Sequence, residues 1–369
     1  MSSVTLSIFQ DSGPPAGSTD YTTVVLLHGF AWHSGIFVKL VPLAAAHNAR
    51  IVLVNRRDYP GATPFSSEER TILESAAKGA TTSDASAAHA QLEAFMRERA
   101  REVYDTLASF VHGNNIPLSQ REENKGGIVL AGWSFGTAWM TAFLAHAPSF
   151  SAPNSDIELG KYMRRVVFYD NPYLVLGFPP PPDPYNYNPL FDPAIPPGDQ
   201  TRVFSNWVSG YFAHRTGTLA LAPSSSSSLD EEKQRAASAF EVRTYLAAPP
   251  PTLSTLTPEE AASALFPSPG DPGGSDSLLV TGGITSGVFA TLREAALAVP
   301  RDARWRAVEV RHVWCDRSVW EATWTAWNLR WLFAEAKRSG APLREITSVH
   351  WDEPERALVA FLTDAVQTY

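Results

Sequence analysis

The residues best suited to covalent chemistry lie in the pentapeptide Gly-Trp-Ser-Phe-Gly at 132–136. An apolar run at 128–131 leads into it, and a segment of helical composition, 137–146, follows it. A nucleophile elbow requires this strand–turn–helix context, because the sharp turn lifts the serine oxygen off the end of the strand. The two flanking glycines lack the Cβ atoms that would clash in such a turn. The pattern therefore predicts Ser134 as a nucleophile.

A serine hydroxyl is a weak nucleophile at neutral pH and needs a base that a third group orients. In the elbow architecture the order along the chain is serine, then acid, then histidine. His350 follows the last predicted strand and is the predicted base. His312 lies inside a predicted strand and is interpreted as a core residue. His214 lies in the segment 171–275, from which it could face the site.

Two aspartates could orient the histidine, and each could instead be a structural cap. Asp170 ends the strand that follows the elbow, and Asp316 ends the penultimate strand. An oxyanion needs backbone N–H donors, which are worth about 3–4 kcal/mol each when aimed at the developing charge. We expect one donor from Phe135, directly after the nucleophile, and the other from Phe30 or Ala31, after the first buried strand.

Buried strands alternating with helices would position these groups. Segments with a strand pattern occupy 23–27, 51–54, 128–131, 165–169, 307–314 and 344–349, and helical spacing occupies 36–46, 83–111, 137–146 and 319–337. This alternation predicts an α/β domain with a mostly parallel central sheet flanked by helices. The tryptophans of 319–337 recur at three- and four-residue steps and are interpreted as core. The loop 55–61 carries two arginines and an aspartate, which we expect to pair with one another.

The composition changes between residues 171 and 275. Proline runs at 179–182 and 249–251 and a serine tract at 224–228 separate short helix-like pieces. Helices do not cross such proline runs, so the segment is expected to be an irregular helical lid or cap over the site. The predicted division is a first core part, 1–170, the lid insertion, 171–275, and a last core part, 276–369. The apolar lid residues suggest a hydrophobic pocket; they include Phe204, Trp207, Tyr211 and Phe212.

The bulk composition narrows the class of protein. A chain of 369 residues that is 44% hydrophobic, with 11 tryptophans and 19 phenylalanines, can bury a sizeable core. The net charge of −8 argues against nucleic acid or an anionic membrane as partner. The single Cys315, a polar N-terminus and the lack of an 18-residue apolar run lead us to expect a cytoplasmic protein without a membrane span. We expect no cofactor and no metal, and the oligomeric state stays open.

The chain resembles an α/β-hydrolase in three places. These are His28-Gly29-Phe30, the elbow at 132–136, and the tail His-Trp-Asp-Glu-Pro-Glu at 350–355. The resemblance covers residues 20–170 and 276–369, and it implies an α/β-hydrolase fold with an inserted lid.

Two positions depart from the usual family pattern. In many members the catalytic histidine lies three residues before the one that His350 matches, and that position is Thr347. The usual acid is the fourth residue of a G-x-x-D turn, where Ser318 stands. The second departure weakens Asp316 and favours Asp170, because some family members, among them lactonases of the zearalenone-degrading type, take their acid from the strand end that Asp170 occupies.

These observations predict a serine hydrolase that cleaves an ester, lactone or similar acyl bond of an apolar small molecule. Ser134 would attack, His350 would take and return the proton, and Asp170 or Asp316 would orient it. Thr347 motivates one alternative, a non-hydrolytic enzyme of the same fold such as a lyase or cyclase. A non-catalytic binding protein is the other, since a fold does not by itself fix a function.

Overall fold

The computed structural model describes residues 6–79, 85–152, 157–215 and 229–351. Within these ranges seven strands form one sheet in the order β1-β3-β2-β4-β5-β6-β7. The strands are β1 (Ser7–Asp11), β2 (Thr22–Leu27), β3 (Ala49–Asn55), β4 (Ile128–Trp133), β5 (Met163–Tyr169), β6 (Glu309–Cys315) and β7 (Ile346–Trp351). β1 runs antiparallel to β3, and the other pairings are parallel. The mostly parallel sheet confirms the predicted fold class.

Helices cover both faces of this sheet. The α-helices of the described residues are α1 (Ser67–Lys78), α2 (Ala85–Asn114), α3 (Thr137–His146), α4 (Pro197–Val208), α5 (Leu229–Ala237), α6 (Thr252–Thr255), α7 (Pro258–Ala262), α8 (Ser275–Ser286), α9 (Val288–Leu297), α10 (Ala303–Arg306) and α11 (Trp320–Ser339). Short 3₁₀ helices span Ser34–Leu43, Ala45–His47, Ser134–Gly136, Ala147–Ser149, Leu159–Lys161, Tyr173–Leu176 and Pro189–Phe191. Within the described ranges, none of the helices has the length and apolar composition needed to cross a membrane.

The central strands form because they can be buried on both faces. Every residue of β2, β3 and β5 is buried, as expected for parallel strands covered by helices on each side. The larger core cluster packs α2, α3 and α11 on one face of the sheet, and a smaller cluster packs the 3₁₀ helix Ser34–Leu43 on the other. Trp320, Trp324 and Trp327 of α11 are buried in the larger cluster, which confirms that this stripe is core.

Some elements differ from the sequence prediction for local reasons. The helix expected at 36–46 is a 3₁₀ helix with Pro42 inside it, and proline cannot donate the hydrogen bond of an α-helix. β1 was not predicted because it is an edge strand with a largely exposed, mixed sequence. α1 was also missed, although the capping box of Ser66 and Glu69 marks its start. The serine tract at 224–228 and the tail residues 352–355 lie outside the described residues.

The segment between β5 and α8 is joined to the loop that follows β2. Trp32 forms an antiparallel bridge with Leu265. The N–H of His33 donates to the carbonyl of Ala264 at 2.8 Å, and the N–H of Phe266 donates to the carbonyl of Ala31 at 2.8 Å. These backbone bonds attach the end of the 171–275 segment to the loop from which an oxyanion donor was expected.

Candidate active site

The turn after β4 holds Ser134 in a strained conformation. Its φ is +53°, in the left-handed region that residues with a side chain rarely adopt. A Cβ on Gly132 would lie 2.6 Å from the carbonyl oxygen of Gly136, and a Cβ on Gly136 would lie 2.7 Å from that of His28. Because neither position tolerates a side chain, the two glycines allow the tight turn. The geometry is that of a nucleophile elbow, as its sequence predicts.

Ser134 lines a pocket of about 610 Å³, a volume that includes the space at its open mouth. The lining is mainly apolar and aromatic and comes from the end of the sheet, the 171–275 segment, α8 and the start of α11. Its aromatic residues are Phe30, Trp133, Phe135, Phe191 and Phe204, and its aliphatic residues and prolines are Pro172, Leu174, Leu190, Val208, Val280 and Val319. Two ionisable side chains, Asp170 and Glu321, and the amide Asn188 complete the lining. Such a site suits an apolar small molecule with a few polar groups.

Asp170 follows β5 at the position beside the elbow. Trp133 and Tyr169 are paired across β4 and β5, so Ser134 and Asp170 leave adjacent strand ends, both with positive φ. The carboxylate accepts the N–H of Cys315 at 3.2 Å on Oδ1 and the hydroxyl of Ser318 at 2.6 Å on Oδ2.

The electrostatics of Asp170 differ from those of an exposed carboxylate. Burial raises its pKa to about 6, because desolvation outweighs the opposing effect of the hydrogen bonds from Ser318 and Cys315. A carboxylate has about four acceptor sites and these two donors occupy two of them. Asp170 can therefore accept a further proton or hydrogen bond.

His350 and Asp316, which were also predicted as base and acid, do not line the pocket. The Nε2 of His350 is 3.4 Å from Oδ2 of Asp316, and the ring tilts against that of Trp314 at 4.5 Å. The His350 side chain is 38% exposed. All nine histidines of the chain fall within the described ranges, and none of them lines the Ser134 pocket. The structure thus brings Ser134 and Asp170 together and holds His350 with Asp316.

The remaining histidine candidates have defined environments. The Nδ1 of His214 accepts the N–H of Glu241 at 3.0 Å, so its Nε2 carries the proton that is donated to the carbonyl of Ser318 at 2.8 Å. His312 is fully buried in β6, and its ring nitrogens have no hydrogen-bond partner among the described residues. Desolvation lowers the pKa of His312 to about 3, so it is a neutral core residue.

The loop after β2 presents one of the two expected oxyanion donors. The N–H of Ala31 donates to the hydroxyl of Tyr59 at 3.0 Å and is therefore occupied. Within the described residues, the N–H groups of Phe30 and Phe135 donate to no other protein atom. The two phenylalanine rings contact each other edge to face with centroids 6.0 Å apart. Phe30 and Phe135 therefore keep the uncommitted N–H groups that an oxyanion hole requires, and their role there stays a prediction.

A buried network of hydrogen bonds fixes the loop that follows β2. Arg56 forms a bidentate ion pair with Asp276, and its Nη2 also donates to the carbonyl of Gly29 at 2.9 Å. The hydroxyl of Tyr59 donates to Asp276 at 2.6 Å, and the N–H of Arg56 donates to Nε2 of His28 at 3.0 Å. Neutral His28 is consistent with this bond, since burial and the charge of Arg56 lower its pKa well below the usual range.

The expectation that the charges of loop 55–61 pair with one another is wrong. Arg56 pairs with Asp276, and Arg57 pairs with Glu69 and Glu102. Asp58 pairs with Arg70. Each partner comes from a helix that packs on this loop, and nothing in the local sequence identifies it.

Glu321, in the first turn of α11, is a site residue that the motifs of the sequence do not identify. The residue is 4% exposed, and its Oε1 accepts the amide of Asn188 at 2.9 Å. Burial raises its pKa to about 7, more than the hydrogen bond from Asn188 lowers it. Its sequence signal is a carboxylate three residues before Trp324, within the apolar stripe of the helix.

No group of three or more histidine, cysteine or carboxylate side chains in the described ranges could hold a metal ion.

No family model and no curated protein matches this chain. Solved structures with similar coordinates include a monoacylglycerol lipase from Paleococcus ferrophilus, which is 14% identical with a TM-score of 0.38 and coverage of 98% of this chain and 100% of that one. A structure from Nitrososphaera gargenis, described with carboxylesterases, is 10% identical with a TM-score of 0.43 and coverage of 99% and 98%. An epoxide hydrolase from Vigna radiata is 13% identical with a TM-score of 0.39 and coverage of 97% and 93%. At these values the similarity says nothing about reaction or substrate.

Proposed function

We propose that this α/β-hydrolase-fold chain is an enzyme that cleaves an ester or lactone bond of an apolar small molecule through covalent attack by Ser134. The observation that carries the proposal is the strained serine, at φ +53°, which lines an apolar pocket. Strained backbone of this kind persists only where the surrounding structure stabilises it, and it is found most often at functional sites. The N–H groups of Phe30 and Phe135 lie on the two loops that border Ser134 and suit a developing oxyanion.

Asp170 is the base in this proposal. It shares the pocket with Ser134 and comes from the adjacent strand end, whereas His350 does not line that pocket. A general base works best when its pKa is near the operating pH, and desolvation raises the pKa of the Asp170 carboxyl to about 6. The hydroxyl of Ser318 and the N–H of Cys315 orient it, as a third group orients the base in a triad.

The reaction then proceeds in two balanced halves. Asp170 takes the hydroxyl proton as Ser134 Oγ bonds to the carbonyl carbon, and the carbonyl π pair moves to the oxygen that faces Phe30 and Phe135. Collapse expels the leaving oxygen, which receives the proton from Asp170. Water next gives a proton to Asp170 and attacks the acyl carbon. Ser134 regains a proton as the carboxylic acid product leaves.

The test combines fluorophosphonate labelling with p-nitrophenyl butyrate hydrolysis. The probe is expected to label wild type at Ser134 and not to label Ser134→Ala, and that variant should lose about 10³-fold or more in kcat. Asp170→Asn should lose about 10²-fold or more in kcat/KM. Asp316→Asn is the matched control, since Asp316 is also a half-buried aspartate after a parallel strand, and it should retain activity within about threefold.

His350→Ala decides between the two bases. In the proposed mechanism it retains nearly wild-type activity, and kcat/KM rises with pH through about 6 as Asp170 ionises. If His350→Ala instead abolishes activity and Asp170→Asn does not, the base is the histidine predicted from the sequence. An unlabelled wild-type protein without esterase activity would overturn the covalent mechanism.

One observation favours a second function. The ionisable groups of the described pocket lining are two carboxyls with raised pKa values, about 6 for Asp170 and about 7 for Glu321. A pair of this kind can move protons on a bound substrate without covalent attack, as a lyase, isomerase or cyclase requires. A protein that fails to react with the fluorophosphonate while solvent hydrogen exchange into a bound carbonyl compound depends on Asp170 would support this function.

A further inference from the structure

Glu321 is a buried carboxyl that opens into the pocket. It is 4% exposed and lines the same cavity as Ser134 and Asp170. Among the side chains of the described residues, the amide of Asn188 donates to it, on Oε1 at 2.9 Å. Oε2 of Glu321 accepts no hydrogen bond from a side chain of the described residues. A buried carboxylate stabilised by a single amide still lacks hydrogen bonds that water would supply, and a ligand that supplies one gains affinity.

The charge of the pocket restricts which ligand can supply that bond. The lining contains two carboxyls and no lysine, arginine or histidine among the described residues. Burial and the nearby Glu321 carboxyl raise the pKa of the Tyr173 phenol, so this side chain stays neutral and supplies no cation. A carboxylate or phosphate ligand would face two like charges without a cation to pair with. A hydroxyl or ammonium group would instead meet an acceptor.

We propose that Glu321 binds a hydrogen-bond-donating group, a hydroxyl or an ammonium, on an otherwise apolar substrate whose acyl bond lies at Ser134. This assignment rests on the proposed function only in taking the Ser134 pocket as the substrate site. It excludes free fatty acids and other anions as preferred ligands. The aromatic rings of the lining, Phe30, Phe191 and Phe204 among them, accommodate the apolar part of such a molecule.

Asn188 orients Glu321 for this role. Its Oδ1 accepts the N–H of Leu190 at 2.8 Å, which fixes the amide so that Nδ2 is directed to Glu321. Asn188 belongs to the 171–275 segment and is itself buried. The donor specificity of the pocket therefore depends on a contact between this segment and α11.

The test measures binding without turnover, so that it is independent of the hydrolysis. Four matched ligands, butylbenzene, 4-phenylbutan-1-ol, 4-phenylbutylamine and 4-phenylbutyrate, are titrated calorimetrically into Ser134→Ala at pH 8. Glu321, with its pKa of about 7, is then ionised. The alcohol or the amine should bind about tenfold or more tightly than butylbenzene, and 4-phenylbutyrate should bind most weakly, because hydrogen bonds to charged groups are the stronger ones. Whichever of the two binds better identifies the hydroxyl or the ammonium as the donor.

Glu321→Gln in the same background should remove this preference, leaving the donor ligands and butylbenzene within about threefold of each other. The glutamine keeps an oxygen for Asn188, so folding is preserved and is checked by circular dichroism. Asp316→Asn, a half-buried carboxylate that does not line the pocket, serves as the matched control and should keep the preference. An unchanged preference in Glu321→Gln, tightest binding by 4-phenylbutyrate, or no binding by any ligand would overturn the assignment. If the wild type has no esterase activity, the proposed role of Ser134 is contradicted. The result of these titrations does not depend on that activity.

Discussion

Arg56 and Asp276 form a bidentate ion pair whose side chains are 1% and 3% exposed. The two hydrogen bonds measure 2.8 and 2.7 Å, and the guanidinium also lies over the ring of Trp139 at 4.2 Å. Arg56 follows β3, and Asp276 lies in the first turn of α8, directly after the 171–275 segment. Because Arg56 also holds the carbonyl of Gly29, the start of α8 and the loop carrying Phe30 are fixed to each other.

Replacing Asp276 by asparagine is expected to destabilise the fold by about 3–5 kcal/mol, because a buried guanidinium is left without a counter-charge. The double variant Arg56→Met, Asp276→Leu should recover much of that loss, since it removes both charges. Urea denaturation measures the free energies of unfolding. The exposed pair Arg202–Asp199 provides the control, and Asp199→Asn should change stability by less than about 1 kcal/mol. A mild effect of Asp276→Asn would contradict a structural role for the ion pair.

Tyr59→Phe tests whether this network positions the oxyanion loop. The phenol accepts the N–H of Ala31 and donates to Asp276, so its loss frees the loop next to Phe30. We expect kcat to fall about tenfold or more with little change in KM, because an oxyanion donor acts mainly in the transition state. Tyr104→Phe, which removes another buried phenol from α2, should leave kcat unchanged. A rise in KM alone would indicate that Tyr59 shapes the pocket and does not position the donor.

Backbone strain at the elbow should be measurable without any substrate. Both Ser134→Gly and Ser134→Ala remove the hydroxyl, but only glycine adopts φ +53° without a Cβ penalty. The glycine variant should therefore be more stable than the alanine variant by about 1 kcal/mol. At the exposed helical residue Ser75 of α1 the order should reverse, because alanine favours a helix. Equal melting temperatures for the two Ser134 variants would argue against strain.

Glu321 should make stability depend on pH. Its folded pKa of about 7 lies above the usual 4.5, so the folded state holds the proton more tightly than the unfolded state. The contribution is most favourable below pH 4.5 and is lost as the pH rises through 7, by roughly 3 kcal/mol in total. Glu321→Gln should therefore melt at a higher temperature than wild type at pH 8, with a smaller difference at pH 5. Glu74→Gln, at an exposed position, is the control and should show no such trend.

His312 should make stability depend on pH in the direction opposite to that of Glu321. Its folded pKa of about 3 lies below the usual 6.5, so protonation favours the unfolded chain and stability falls as the pH drops below 6.5. His312→Leu removes this linkage and should gain about 2 kcal/mol relative to wild type between pH 8 and pH 5. Chemical denaturation at the two pH values measures the gain. His112→Leu, an exposed position in α2, should not reproduce it, and a pH-independent difference for His312→Leu would refute the explanation.

The elbow and the alternation of strands and helices could both be predicted from the amino-acid sequence. Both follow from local chemistry, since the glycines that permit the turn lie two residues from Ser134 and buried strands need only short apolar runs. The candidate nucleophile and the α/β class were therefore predictable from short windows.

Which side chains lie beside Ser134 depends on how distant segments of the chain pack. The pairing of β5 with β4 puts Asp170 beside Ser134, while His350 in β7 lies beyond β6. Arg56 meets Asp276 across 220 positions of the chain, and Asn188 meets Glu321 across 133. A sequence shows the charge and size of each such residue, but its partner is fixed by the packing of segments far apart in the chain. Burial, which raises the pKa values of Asp170 and Glu321, exists only once those segments have packed.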